Sequence, residues 1–333
     1  MGATNPPLSK STIRPSKVGI SIDDRVIPTD NVVIEPMRDA SIALGDRTYR
    51  GRLQIRRESG GLGFVNLVDI EPYLRGVLRG ELPRYFHPEA FKAQCVAART
   101  YALHTKQIAG KNRSFDVYDD EGSQMYTGVA SESAVSDRAV RETEGEVCVW
   151  NDGGQDRIFY TYYASCCGGR SQHVNNVKPN DPAVPPLAGG VRCDDCYLAT
   201  HFRWGPVEMT KAELTRKLVS RYPVLSRIGM IEEVRPKKTT DDGRKVSLDL
   251  IGSGGRDTLI GEDFRLSLGS RNLKSTIFTI ETRPDRFIFR DGRGFGHGMG
   301  LCQFGMEAKA RRAMSYRDIL AAYYPGSTVK KIY

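Results

Sequence analysis

No stretch of this 333-residue chain is an apolar run of the roughly 18–20 residues that a membrane-spanning helix needs. The opening MGATNPPLSK has neither the basic start nor the apolar core of an export signal. Internal repeats are missing, which argues against a solenoid or propeller. No nucleic-acid module pattern occurs, and the arginines are scattered rather than run together. What remains is a globular chain, 39% hydrophobic and 27% charged, long enough for one large or two ordinary domains. Its net charge of +9 attracts acidic polymers or anionic lipid alike and does not choose among them.

The chain is organised around residues 71–102, EPYLRGVLRGELPRYFHPEAFKAQCVAARTYA, which predict a short helix, a break and a long helix. Pro72 suits a first helical turn, where its missing N–H costs nothing. Leu74, Val77 and Leu78 then share one face. Pro83 pushes the residue before it out of the helical region and ends that helix near Glu81. Pro88 opens the second helix, Glu89 favours the positive end of its dipole, and Gly110 is expected to close it. Residues 90–102 are rich in alanine, so neighbouring backbone can approach closely. A carboxylate at the C-terminal end of a helix has its pKa raised by the dipole. That is a property of a general acid, although a surface glutamate at a helix end reads the same way.

GVLRGELPRYFHPEAFKAQCVAARTYAL resembles the signature of the stage II sporulation protein D family (SpoIID/LytB). Cys95 replaces the usual alanine and is read as core. The resemblance continues in residues 49–77 through Arg50, Gly51, Asn66, Glu71 and Tyr73, in SQMYTG, and in GRGFGHGMGLCQFG with the helix after it. Glu81 occupies the position of the family's catalytic glutamate. The family's active members are lytic transglycosylases that cut glycan strands stripped of stem peptides. Other members are described as enhancers of wall amidases. The resemblance implies an α+β fold of mixed sheets, in which the helix–break–helix and a glycine-rich C-terminal segment line a cleft. Gln124, Tyr126, His297 and Gln303 are then candidate sugar contacts. The competing readings are a turn with a buried tyrosine and a buried histidine bonded to a carbonyl.

Residues 1–17, rich in Pro, Ser and Thr, are expected to be a disordered tail. Residues 18–333 are expected to form the catalytic domain, with an inserted lobe at about 205–257 that includes a helix over 208–221. Cys193-x-x-Cys196 has the spacing of half a zinc knuckle. Cys167 and His173 complete one ligand set, and His201 is an alternative. A four-ligand site of this kind is structural, since no position is left for water. One or two disulfides are the alternative, and Cys166 has no role in either. A zinc hydrolase is disfavoured because no HExxH pattern occurs. The expected partners are peptidoglycan glycan strands and a wall amidase, with no nucleic acid. Work on the wall implies an extracytoplasmic setting, with the signal or anchor outside this chain.

Overall fold

The computed structural model describes residues 10–38, 40–109 and 113–333. The chain divides into two units, Met1–Tyr85 with Ala102–Glu144, and Phe86–Tyr101 with Gly145–Tyr333. Both mix helices with small sheets, the α+β class expected.

The first unit opens with short antiparallel strands. Ile13–Ser16, Gly19–Ile22 and Arg25–Ile27 form one sheet, and Asn31–Ile34, Arg52–Glu58 and Gly61–Leu67 another. Ile20, Leu53 and Ile55 are buried between them, and Ile13 packs on that cluster. The tail expected over 1–17 therefore stops short of Ile13, whose side chain is recruited to a core; residues 1–9 lie outside the described residues.

Helix α1, Ile70–Glu81, follows. Its apolar stripe buries Tyr73, Leu74, Val77 and Leu78. Leu82 leaves the helix in extended conformation immediately before Pro83, as proline sterics require. Helix α2, Pro88–Ala109, begins on its proline, and its alanines 90, 93, 97 and 98 are fully buried, as is Cys95. The expected closing residue, Gly110, lies outside the described residues. Helix α3, Ala134–Glu142, is capped by Ser133, which exchanges hydrogen bonds with Ser136.

In the second unit, Glu146–Asp152 lies between Gln155–Ile158 and the C-terminal Ser327–Lys331, all antiparallel. A large core gathers Trp204, Leu214, Leu218, Leu248, Leu250, Phe264, Phe287 and Phe289. Helices α4, Lys211–Arg221, and α5, Gly261–Leu268, belong to it. So do the sheets Ile231–Thr239, Lys245–Gly252, Gly255–Ile260 and Val207–Thr210, Arg286–Arg290, Thr279–Thr282. This core runs from Trp204 to Phe289, wider than the lobe expected at 205–257. Residues 208–210 are strand rather than helix, because the Thr210 hydroxyl caps α4 by accepting from the Glu213 N–H at 3.1 Å. Helices α6, Gln303–Arg311, and α7, Tyr316–Tyr323, close the fold. No helix among the described residues is long and apolar enough to cross a membrane.

Candidate functional site

Glu81 is the last residue of α1 and is half-buried. Its placement depends on two glycines one turn apart. A Cβ on Gly76 would come within 2.6 Å of the Tyr126 ring, and one on Gly80 would collide with the Met125 carbonyl. Without side chains at these positions, loop 124–128 lies directly on the helix backbone. The Met125 N–H then donates to Glu81 Oε1 at 2.7 Å, which orients the carboxylate.

The loop is held from beneath. Tyr73 donates its hydroxyl hydrogen to Gln124 Oε1 at 3.0 Å, and Tyr126 donates to Asn66 Oδ1 at 2.9 Å. Asn66 is itself tied to the Arg50 and Arg52 carbonyls at 2.8 and 3.1 Å. Tyr73 and Tyr126 pack with ring centroids 4.8 Å apart. Burial raises the Tyr126 phenol above its ordinary pKa, so it stays protonated and donating. Gln124 and Tyr126, expected as sugar contacts, are 0% and 5% exposed and point inward. The structure uses them as supports of the loop that orients Glu81.

The spacing Gly76-x-x-x-Gly80 is the sequence signal for this seat. Gly80→Ala is expected to cost about 1–3 kcal/mol through overpacking and to move the Met125 N–H away from Glu81. Urea unfolding checks the first effect, and the loss of hydrogen-exchange protection at the Met125 amide in the folded variant checks the second.

In the second unit, Tyr163–Ala164 pairs in parallel with Leu301–Cys302, and further bridges join Cys166 to Phe295 and Gln172 to Met299. The glycine-rich segment is thereby laced to the cysteine-rich loops. His297 sits in it with Nδ1 accepting from the Met299 N–H at 3.0 Å, which assigns the proton of the neutral ring to Nε2. Burial lowers its pKa to about 4, with Arg265 adding to the effect and Glu262 opposing it. The ring is therefore neutral at physiological pH and is no proton donor of the acid type. Gln303, the first residue of α6, is 6% exposed and donates to Gln94 Oε1 at 3.4 Å. It too serves packing, because the turn into α6 places it against α2.

The His297 shift has a pH signature. The folded state keeps the ring neutral, whereas the unfolded chain protonates it below its ordinary 6.5. Stability from this residue is complete above about pH 6.5 and is lost as pH falls towards 4, because unfolding then takes up a proton. The full shift corresponds to at most about 3 kcal/mol, lessened by the part of the ring that stays exposed. Urea titrations at pH 7 and 4.5 should show His297→Gln losing less stability on acidification than the wild type.

Four cysteines, Cys167, Cys193, Cys196 and Cys302, bring their sulfurs within 4.8 Å of one another, all buried. Cys167 Sγ and Cys196 Sγ are 3.8 Å apart. A tetrahedron of thiolates with Zn–S near 2.3 Å has edges of about 3.8 Å. The spacing fits a metal and is far from the roughly 2.05 Å of a disulfide; none of the seven cysteines is in a disulfide. Cys302 takes the place expected for His173. The His173 ring is occupied elsewhere, accepting from the Asn175 N–H at 3.1 Å to cap the turn Val174–Asn176. His201, the other candidate, is exposed with its ring against Phe295. Cys166 donates to the Cys196 carbonyl at 3.4 Å and so braces the knuckle without joining it.

The profile of the family described as stage II sporulation protein matches residues 58–150, and a domain of unknown function matches residues 194–300. An uncharacterized protein of Brachyspira hyodysenteriae is 30% identical over 315 residues, 93% of this chain and 79% of that protein. The stage II sporulation protein D of Bacillus subtilis is 26% identical over 281 residues, 80% of this chain and 76% of its own length. The amidase enhancer of Bacillus subtilis is 28% identical over 296 residues, 77% of this chain but 40% of its own length.

Proposed function

Because the chain belongs to the stage II sporulation protein D family, SpoIID/LytB, and so to proteins of the cell wall, we propose that it is a lytic transglycosylase acting on peptidoglycan glycan strands without stem peptides. The observation that carries this reading is the half-buried Glu81 at the end of α1, its carboxyl oriented by the Met125 N–H. Glycosidases commonly divide their work between two carboxyl groups. One suffices here, because the attacking hydroxyl belongs to the substrate. Protonated Glu81 gives its proton to the glycosidic oxygen as the bond from C1 of N-acetylmuramic acid to N-acetylglucosamine breaks. The resulting carboxylate takes the proton of the muramoyl C6 hydroxyl as that oxygen bonds to C1. A 1,6-anhydro end forms, no water is consumed, and Glu81 ends as it began.

Gln124, Tyr126 and Asn66 act through Glu81 by holding its loop, so they are positioning residues. Cys167, Cys193, Cys196 and Cys302 would hold zinc, which would supply a structural cross-link and no open coordination position.

The similarity to an amidase enhancer favours a second reading, a glycan-binding protein that activates a wall amidase. Purified chain incubated alone with denuded glycan separates the two. Anhydro-muramoyl ends detected by mass spectrometry without any amidase support the transglycosylase. No product, combined with faster hydrolysis by added amidase, sinks it in favour of the enhancer.

A further inference from the structure

Arg244 is fully buried, and its one ion pair, with Asp242, is loose. Its Nη2 donates to the carbonyl of Cys167, while Nε and Nη1 have no hydrogen-bond partner. Asp242 Oδ2 forms an ion pair with Nε at 3.5 Å, but no hydrogen bond joins the two atoms. The contrast is Arg265, also buried, which holds Glu262 through two hydrogen bonds of 2.9 and 2.6 Å. The seat of Arg244 is built for it: a Cβ on Gly298 would come within 2.5 Å of Nη2. A guanidinium taken out of water with two idle donors and one loose ion pair is costly unless further negative charge lies close by.

The cysteine cluster would supply that further charge. Four thiolates around a divalent cation carry a net charge of two minus, enclosed where the sulfur-bearing residues are at most 1% exposed. Such a centre needs hydrogen bonds to sulfur and positive charge close by. One backbone donor and one hydroxyl already stand at sulfur. The Cys167 N–H donates to Cys302 Sγ at 3.3 Å, and the Tyr323 hydroxyl lies 3.0 Å from Cys193 Sγ. Tyr323 is 1% exposed, and Gly305 is bare at the point where a side chain would separate the hydroxyl from the sulfur.

We propose that Arg244 is the buried countercharge of a tetrathiolate metal centre at Cys167, Cys193, Cys196 and Cys302, and that the Tyr323 hydroxyl donates to its Cys193 sulfur. This rests on the zinc reading above. Arg244, beside the cysteines and seated on the glycine-rich segment, lowers the cost of enclosing the charged centre. Tyr323 draws charge from one sulfur. Without them the thiols hold their protons more firmly against the metal.

The test uses the full chain and zinc itself. Zinc per chain is measured on wild type, Arg244→Met, Arg244→Lys and Tyr323→Phe, and affinity by competition with a chromogenic chelator. Arg244→Met is expected to weaken zinc binding at least ten-fold, Arg244→Lys to restore most of it, and Tyr323→Phe to weaken it a few-fold. Cobalt-loaded samples give a reading that packing alone would not move. Loss of either group should shift the sulfur-to-cobalt charge-transfer band to lower energy. Folded Arg244→Met with wild-type affinity and an unshifted band overturns the countercharge. If Arg244→Met does not fold, Tyr323→Phe decides, an unchanged band counting against the proposal. A wild-type chain that takes up no zinc removes the metal reading as well, an outcome distinct from a loaded wild type with indifferent variants.

Discussion

Glu81→Gln is expected to lower the release of anhydro-muramoyl ends by about 100- to 10,000-fold, the usual contribution of a general acid–base group. In the proposed mechanism one carboxyl does two jobs, and the size follows from that. Glutamine can neither give a proton to the departing oxygen nor take one from the C6 hydroxyl, so both halves of the displacement fail together. The fold should be untouched. A glutamine Oε1 can still accept from the Met125 N–H, and the position ends α1 with no role in its buried stripe. Unchanged melting with lost turnover is the expected pair of results. A folded glutamine variant that still produces anhydro ends at the wild-type rate removes Glu81 from the chemistry. An accompanying loss of stability would instead mean that the carboxylate anchors the loop.

The helix–break–helix was legible because prolines 72, 83 and 88 mark its turns locally, and local sterics survive folding. The position of Glu81 followed from the same punctuation. Its surroundings did not, since they depend on contacts distant in sequence. Tyr73 meets Gln124 across 51 residues. A polar side chain in a loop looks available to a sugar until a buried partner claims it, and Gln124, Tyr126 and Gln303 were all claimed in this way. One member of the metal set differs on the same ground. His173 was near the cysteines in sequence, but a parallel pairing of Ala164 with Cys302 brought the fourth sulfur from much further away. Three of the four ligands, Cys167, Cys193 and Cys196, were legible in the cysteine-rich stretch, whereas the fourth, Cys302, is supplied by the sheet. Arg244 gave no signal at all, because one basic residue ahead of a strand reads as ordinary surface.

Removing the metal from the zinc-loaded chain should lower its melting temperature by about 8–16 °C. A ligand at a thousand times its dissociation constant adds about 4.1 kcal/mol, and each kcal/mol is worth about 2–4 °C in a unit of this size. The region between the strands Tyr163–Ala164 and Arg203–Trp204 explains why the cross-link matters. Its regular structure is limited to three short turns, Val174–Asn176, Pro185–Leu187 and Cys196–Leu198. Turns of that length hold themselves poorly. One ion would tie this region at Cys167, Cys193 and Cys196 to Cys302, the residue immediately before α6. Loss of the ion would therefore free the loops and loosen the entry to α6 in one step. Two variants test the ligand assignment. Cys302→Ser should lower both zinc content and melting temperature, whereas His173→Ala should keep one zinc per chain and lose only the stability of its capped turn. Zinc retained in Cys302→Ser and lost in His173→Ala would restore the ligand set that spacing alone suggested.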